Sequence, residues 1–348
     1  MTLAGIELAY LVKEIGTEIQ DYYVSNIWGI NRNSLLFKLH HPKKPDIMLT
    51  VSSIGIWITS KKIDPIEPNK LLRRLRTDLL RSKIEKIEQI GTERIAYITF
   101  SNFDNRFILI IEFFGDGNIL LCNYNKKILA LLHSIDVRHR QLRIGVDYNP
   151  PPTDGIDVIN FKKDEFKKIL SSSTTIGKTI GRGLGLPKKY VEEIIRLSSI
   201  KREKPSNELS DDEFESLFDI INTTISNVIE GNHDPTIITD EQTSDVFPIR
   251  FSDDNTNARK VESFNDGLDI IFTEEILQKG KSLYSDSAEK KIKELENTLD
   301  EQKKAITVVK EKSKKIAGVA NLLFKMQAEG KSDITDQRIV EVLKNENS

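Results

Sequence analysis

The sequence predicts an α+β fold made of an antiparallel, β-sandwich-like N-terminal domain, a small helical domain and a long coiled-coil helix. Three observations carry that reading. Short runs of alternating apolar residues, punctuated by Pro, Gly, Ser and Asn, fill residues 1–157. Apolar residues at spacings of three and four then take over in residues 158–235, around a glycine-rich turn. From Ala288 onward the spacing becomes a heptad.

Leu8, Leu11, Val12 and Ile15 set one apolar stripe on a helix over Glu7–Ile19. Strand patterns follow at Tyr23–Trp28, Ser34–Leu39, Ile47–Ser52 and Ile54–Thr59, divided by Pro42–Pro45 and by Ser52-Ser53. A helix begins at Lys70, with Leu71, Leu72, Leu75, Leu79 and Leu80 facing a core. Strands resume at Ile84–Gln89, Ile95–Phe100, Phe107–Phe114, Ile119–Asn123 and Ile128–Ser134. Such a run of hairpins favours an antiparallel sandwich or half-barrel over a parallel sheet.

Pro150-Pro151-Pro152 is stiff and lacks backbone donors, so it closes the strand region. The helical domain, 158–235, holds helices at Phe166–Leu170, Ile176–Arg182, Lys188–Leu197 and Asp211–Ile229, the last opened by a capping box of Ser210 and Glu213. Residues 236–284 form a return segment packing on the N-terminal domain, with one or two strands in Ile237–Phe251 rejoining the first sheet and an irregular stretch at Ser263–Phe272. Residues 285–348 form the arm. Ile292, Leu299, Ile306, Ser313 and Ala320 hold one seam position, and Leu295, Gln302, Val309, Ile316 and Leu323 the other. One long helix cannot bury its own seam, so a partner helix is required, and self-association of the chain is one way to supply it. A short helical stretch at Gln337–Leu343 follows Gly330–Thr335.

Charge is strongly partitioned. Lys and Arg number 33 against 23 acids in Met1–Lys204, 3 against 18 in Pro205–Glu275, and 15 against 12 in Ile276–Ser348. A basic first half points to a polyanion partner there and not in the acidic middle. The sharpest concentration is Lys70, Arg73, Arg74, Arg76, Arg81 and Lys83 against the single acid Asp78, enough to neutralise several phosphates, and with the strand entry Ile90–Ile95 it reads as one RNA-facing platform. A solvated helix face is the plainer reading of the same run. Arg138, Arg140 and Arg143 recur every two or three residues, so that Arg138 and Arg140 share one face of an extended strand and could clamp phosphates. The run from Gly181 to Pro187 fits either a simple turn or a helix-hairpin-helix that binds phosphate through backbone amides, with Lys178, Arg182, Gly183, Gly185 and Lys188 in attendance.

Four ordered blocks carry a resemblance. They are the Leu/Arg-rich helix, Ile90-Gly91-Thr92-Glu93-Arg94-Ile95, the hairpin Phe107–Phe114 with its Gly115-Asp116-Gly117-Asn118 turn, and Val137–Arg143 followed by Gly145, Tyr148 and the three prolines. Together they resemble the N-terminal part of the NFACT family, the RqcH, NEMF and fibronectin-binding-like proteins of ribosome-associated quality control. The similarity extends to Tyr190-Val191-Glu192-Glu193-Ile194. It implies an N-terminal fold like that of formamidopyrimidine glycosylases, a helix-hairpin-helix-like domain, and an arm answered by a returning helix, so the chain reads as an N-terminal fragment. It also implies a non-enzymatic cytoplasmic factor that binds the large ribosomal subunit obstructed by peptidyl-tRNA. The factor would recruit or position tRNA for alanine-type C-terminal tailing of the stalled nascent chain, leaving bond formation to the ribosome. The family's acid-Arg pair maps onto Glu93 and Arg94, and its acid on the first helix onto Glu7. Both acids are Asp in the family's pattern and Glu here, one methylene longer, and a shift of about 1 Å matters for a bound group.

Other chemistry is poorly supplied. His139 reads as packing or a satisfied hydrogen bond, and His40, His41, His133 and His233 share no metal-ligand spacing with one another or with Cys122, so neither metal nor cofactor is expected. Cys122 sits in an apolar strand and reads as a core residue, and Trp28 and Trp57 do too. A repair glycosylase would begin with a proline amine and carry a zinc finger, whereas this chain begins Met1-Thr2-Leu3 with one cysteine. An adhesive module is the third alternative, and no apolar run reaches the ~20 residues that span a bilayer.

Overall fold

The computed structural model describes residues 3–63, 71–103, 105–137, 140–152, 156–171, 173–230, 233–239, 244–252 and 257–330, with 337 and 340, and the side chains of all of these except 278–291. The chain divides into two compact units, Met1–Gly280 and Lys281–Ser348.

Helix α1 (Gly5–Ile19) leads into four antiparallel strands, β1 (Tyr23–Asn31), β2 (Ser34–His41), β3 (Lys44–Ser52) and β4 (Ile56–Ile58). Helix α2 (Leu72–Leu79) leads into β5 (Lys83–Gln89), β6 (Ile95–Asn102), β7 (Asn105–Glu112), β8 (Asn118–Asn123) and β9 (Ile128–Leu131). All nine strands form one antiparallel sheet, ordered β4-β3-β2-β1-β5-β6-β7-β8-β9. The two halves meet through a single registered pair, Tyr23 with Lys83. The rings of Phe37 on β2 and Phe100 on β6 lie 6.4 Å apart. In a flat sheet three strand spacings of about 4.8 Å would hold them roughly 14 Å apart, so the sheet is bent and its halves enclose a shared core.

That core repeats with a period of sixty residues. Leu11, Ile15 and Ile19 of α1 and Leu71, Leu75 and Leu79 of α2 are all buried in it, as are Val24 and Ile84, Ile27 and Ile87, Leu49 and Leu109, and Val51 and Ile111. Asp21 and Arg81 each hold a left-handed φ of 67°. The Asp21 amide donates to the Ile84 carbonyl at 3.0 Å, and the Arg81 amide donates to the Val24 carbonyl at 2.8 Å. Even the bulges recur, between Val24 and Asn26 and between Ile84 and Lys86. The halves are thus related by a local two-fold, with α1 packing on β5 and α2 on β1.

The outer face of β6 to β9 is covered by a hairpin, β10 (Ile135–Val137) and β11 (Arg140–Leu142), over a second cluster of Tyr97, Ile110, Leu120, Cys122 and Tyr148. Cys122 is fully buried there, which pushes its thiol up to about 12. Helices α3 (Lys163–Leu170), α4 (Ile176–Gly183), α5 (Lys188–Ser198) and α6 (Asp211–Glu230) pack around a third core that also takes Ala4 and Ile6. The capping box is present on α6: the Ser210 amide donates to Glu213 at 2.8 Å, and Ser210 Oγ accepts from the Glu213 amide at 3.2 Å.

Two expectations are corrected. Ile237–Phe251 does not rejoin the first sheet: β12 (Thr236–Thr239), β13 (Ser244–Phe247) and β14 (Ala258–Lys260) form a separate sheet, ordered β13-β12-β14. Nor is Ser263–Phe272 irregular, because helix α7 (Phe264–Ala328) starts there. Its first turns act as a substitute strand along the sheet edge. The Asn265 side chain accepts from the Ile58 amide at 2.7 Å and donates to the Ile58 carbonyl at 3.0 Å, and Asp269 accepts from the Ser60 amide at 3.0 Å. Glu14 of α1 accepts the amides of Phe264 and Asn265 at 3.1 and 2.8 Å, satisfying the donors at the start of α7. In the second unit Ile292, Leu295, Leu299, Ile306 and Val309 are 50–65% exposed. The stretch expected at Gln337–Leu343 lies largely outside the described residues.

Candidate nucleic-acid interface

The β5–β6 turn, Ile90–Arg94, is held from three sides. Gly91 supplies a φ of 56°, and the Glu93 amide donates to the Ile90 carbonyl at 3.2 Å. The side-chain amide of Gln89 donates to the carbonyls of Gly5 and Glu93, both at 2.8 Å. The Arg94 carbonyl accepts the Phe113 amide at 2.9 Å. Thr92 presses on the start of α1 so closely that a Cβ on Gly5 would overlap its carbonyl oxygen. On this fixed turn the side chains of Glu93 and Arg94 are half-buried and make no hydrogen bond or ion pair among the described residues. An arginine held without a partner offers all its guanidinium donors to a ligand.

Glu7 lies in the same helix end, yet it is only 1% exposed. It accepts the Ala4 amide at 2.8 Å. Burial pushes its carboxyl up to about 7; the Ala4 amide and the Tyr190 hydroxyl oppose that rise and the charge of Asp245 adds to it. A carboxyl so enclosed cannot touch RNA, which corrects its expected role as a direct contact. The Tyr190 hydroxyl, on α5, is buried and has no hydrogen-bond partner among the described residues.

The other expected contacts separate into three groups. On α2, Arg73 is exposed and unpaired among the described residues, Arg74 pairs with Asp78 at 2.5 Å, and Arg76 donates to the Ile27 carbonyl at 2.8 Å. These cations sit over β1, and the chain enters β5 at the end opposite the turn. Seven residues at about 3.3 Å each put the turn roughly 20 Å away, so helix and turn do not form one platform.

Arg140 is no phosphate clamp. Val137 pairs with Arg140 across the β10–β11 hairpin, so the segment reverses instead of extending. The Arg140 guanidinium is enclosed between Phe114 and Tyr148 and pairs with Glu112, which is 1% exposed and also accepts the Tyr148 hydroxyl at 2.8 Å. Arg143 is exposed and unpaired among the described residues, while Arg138 and His139 lie outside them.

At the α4–α5 turn, Lys178 and Arg182 stand one turn apart on α4, both exposed and unpaired among the described residues. Lys188 opens α5 and lies 3.5 Å from Glu192. Gly185 holds a φ of 63° in open space, as a tight turn requires. Gly183 has a different task, because an added Cβ there would run into Ile169 of α3. No group of three or more His, Cys, Asp or Glu among the described residues is placed to hold a metal. The bonding of Gln89 and the burial of Tyr190 escaped the sequence reading, which met the one as a strand end and the other only within a family block. A tyrosine at a core position of a helix was the available signal, since its buried hydroxyl demands a partner.

The family model for NFACT N-terminal and middle domains matches residues 4–344. An archaeal Rqc2 homolog, aRqcH, from Methanocaldococcus jannaschii is 27% identical over 308 residues, covering 83% of this chain and 45% of the relative. Subunit 2 of the ribosome quality control complex of Saccharomyces cerevisiae is 31% identical over 134 residues, covering 37% of this chain and 12% of the relative. The chain thus spans less than half the length of these curated relatives. Among solved structures, the fibrinogen-binding protein of Staphylococcus aureus shares the fold, with a TM-score of 0.63 at 20% identity over 76% of this chain and 97% of that one.

Proposed function

The chain belongs to the NFACT family, and from that membership we propose that it acts in ribosome quality control as an RNA-binding factor with no bond-making chemistry of its own. It engages a large ribosomal subunit obstructed by peptidyl-tRNA in the cytoplasm and positions tRNA for tailing of the stalled nascent chain. The observation that carries this reading is Arg94, presented without a partner on a turn whose backbone is fixed to α1. Lys178, Arg182 and Lys188 supply a second contact, with α4 and α5 as a helix-hairpin-helix that meets the phosphate backbone. The names of the curated relatives, all of them ribosome quality control proteins or their homologs, support the cellular setting. The exposed apolar stripe of α7 serves coiled-coil pairing, with a second copy of the chain as one partner.

Purifying the protein from cells and sequencing the RNA that accompanies it tests the proposal. Enrichment of tRNA together with large-subunit ribosomal RNA is expected. Messenger RNA without either, or no RNA at all, would refute it.

A further inference from the structure

The start of β5 and the β6–β7 turn share the end of the sheet that lies away from the Arg94 turn. Tyr23 pairs with Lys83, Lys83 with Ser101 and Ser101 with Arg106, one row across four strands. Their chain neighbours Tyr22, Val24, Ile84 and Phe100 are buried in the core, so alternation turns the row outward. Tyr23 is exposed there, and the exposed ring of Tyr124 carries the Arg106 guanidinium 5.3 Å from its centre. The acids beside the row are matched, Asp21 by Lys83 and Glu85 by Arg106, each at 3.1 Å. Arg81 and Phe103 stand two residues beyond the Lys83–Ser101 pair on neighbouring strands. Arg81 is exposed with no side-chain partner among the described residues, and Phe103, at the β6–β7 tip, is fully exposed.

Local preference argues against both residues. Arg81 and Phe103 hold left-handed φ of 67° and 50°, which Gly, Asn and Asp adopt at lower cost. The first half of the sixty-residue repeat serves as an internal control. Tyr23 pairs with His40 there, so Asp21 and Pro42 take the places of Arg81 and Phe103. Asp21 holds the same φ of 67°, and the turn from His41 to Lys44 is as short as that from Asn102 to Asn105. The fold is thus built without the guanidinium and without the ring.

We propose that Phe103 and Arg81, with the Tyr23–Arg106 row beside them, form a second RNA surface, where Phe103 stacks on an unpaired base and Arg81 holds the adjoining phosphate. This surface rests on the RNA-binding function proposed above and adds to the Arg94 turn a contact at the far end of β5. An exposed aromatic ring accepts the face of any base, and an unpartnered guanidinium offers phosphate two parallel donors. The ion pairs of Lys83 and Arg106 are exposed and weak, so phosphate can compete for both cations. With each neighbouring acid matched, Arg81 is surplus positive charge, which favours a nucleic acid over a protein partner.

The test is the affinity of the full chain for a fluorescently labelled tRNA across a series of salt concentrations. Phe103→Asn suits the left-handed backbone, so its urea midpoint should rise while affinity falls about tenfold. Stacking releases no counterions, so its salt slope should match the wild type. Arg81→Asn suits the backbone too, and it should weaken binding and reduce the slope by about 0.7–0.9. Phe103→Trp should keep the affinity, and tRNA should quench its added fluorescence above the signal of Trp28 and Trp57. Wild-type affinity in Phe103→Asn or in Arg81→Asn would overturn the surface. Loss of self-association in Phe103→Asn with tRNA affinity intact would make the tip a protein contact and overturn it as well. Arg94→Ala separates the two levels. If it weakens binding while Phe103→Asn and Arg81→Asn do not, the RNA-binding function stands and this surface is refuted; if the wild type binds no tRNA, the function fails and the surface with it.

Discussion

Gly5 and Thr92 are in backbone contact, the start of the first helix against the turn that presents Arg94, with no room for a side chain at position 5. The neighbour is a carbonyl oxygen in a hydrogen-bonded turn, so it cannot swing aside as the end of a flexible side chain would. Gly5→Ala should therefore cost about 1–3 kcal/mol, the range for overpacking a tight site. Urea denaturation measures it. An unchanged midpoint would show that turn and helix are not coupled.

Arg140 separates a structural cation from a functional one. Removing it leaves the Glu112 carboxylate buried with only Tyr148 beside it. Arg140→Ala should lose about 3–5 kcal/mol of stability, the usual result of breaking a buried pair from one side. The salt dependence of RNA binding by the fraction that remains folded should not change. A stable variant with a shallower salt slope would restore Arg140 to the interface.

Glu7 gives stability a characteristic pH dependence. Its carboxyl titrates near 7 in the folded chain against an ordinary 4.5. The folded state holds the proton more tightly, so this contribution is full below about 4.5 and is lost as pH rises towards about 7. The difference is on the order of 3 kcal/mol. Other carboxyls act oppositely, Glu193 among them, lowered by Arg196 and Ser252 against the effect of burial. The informative quantity is thus wild type minus Glu7→Gln, followed by denaturation from pH 4 to 8. A constant difference would place Glu7 in solvent.

The seam of α7 makes a hydrodynamic prediction. Five of its apolar residues are at least half exposed, a larger stripe than a lone helix keeps in water. Sedimentation of the full chain should show concentration-dependent association, abolished by Leu299→Asp. A wild type that stays monomeric at high concentration would remove self-association.

Much of the sheet was legible because alternation and turn chemistry are local. Tyr23–Trp28 announces itself by alternation, Ile95–Phe100 by a short run of apolar and β-branched residues, and Gly115-Asp116-Gly117-Asn118 by its glycines, which take φ of 59° and 70°. The sixty-residue repeat was missed, although Leu11 with Leu71, Ile15 with Leu75 and Ile19 with Leu79 spell it out across the two helices. Few identities accompany these pairs, since a core fixes hydrophobicity and volume more firmly than residue type. Pairing was the harder problem. Arg140 and Arg76 read as free cations because the Glu112 carboxylate and the Ile27 carbonyl that bind them are 28 and 49 residues away in sequence. Glu7 read as the family's acid at a tRNA site because nothing local reveals that α1 is covered on two sides.

In the proposed function, Arg94 is the residue on which RNA recognition turns. The direct measurement is the tRNA affinity of wild type and Arg94→Ala across a series of salt concentrations. Loss of one phosphate contact should weaken binding about tenfold and reduce the slope of log affinity against log salt by about 0.7–0.9. Superimposable curves for the two proteins would mean that this turn holds no RNA.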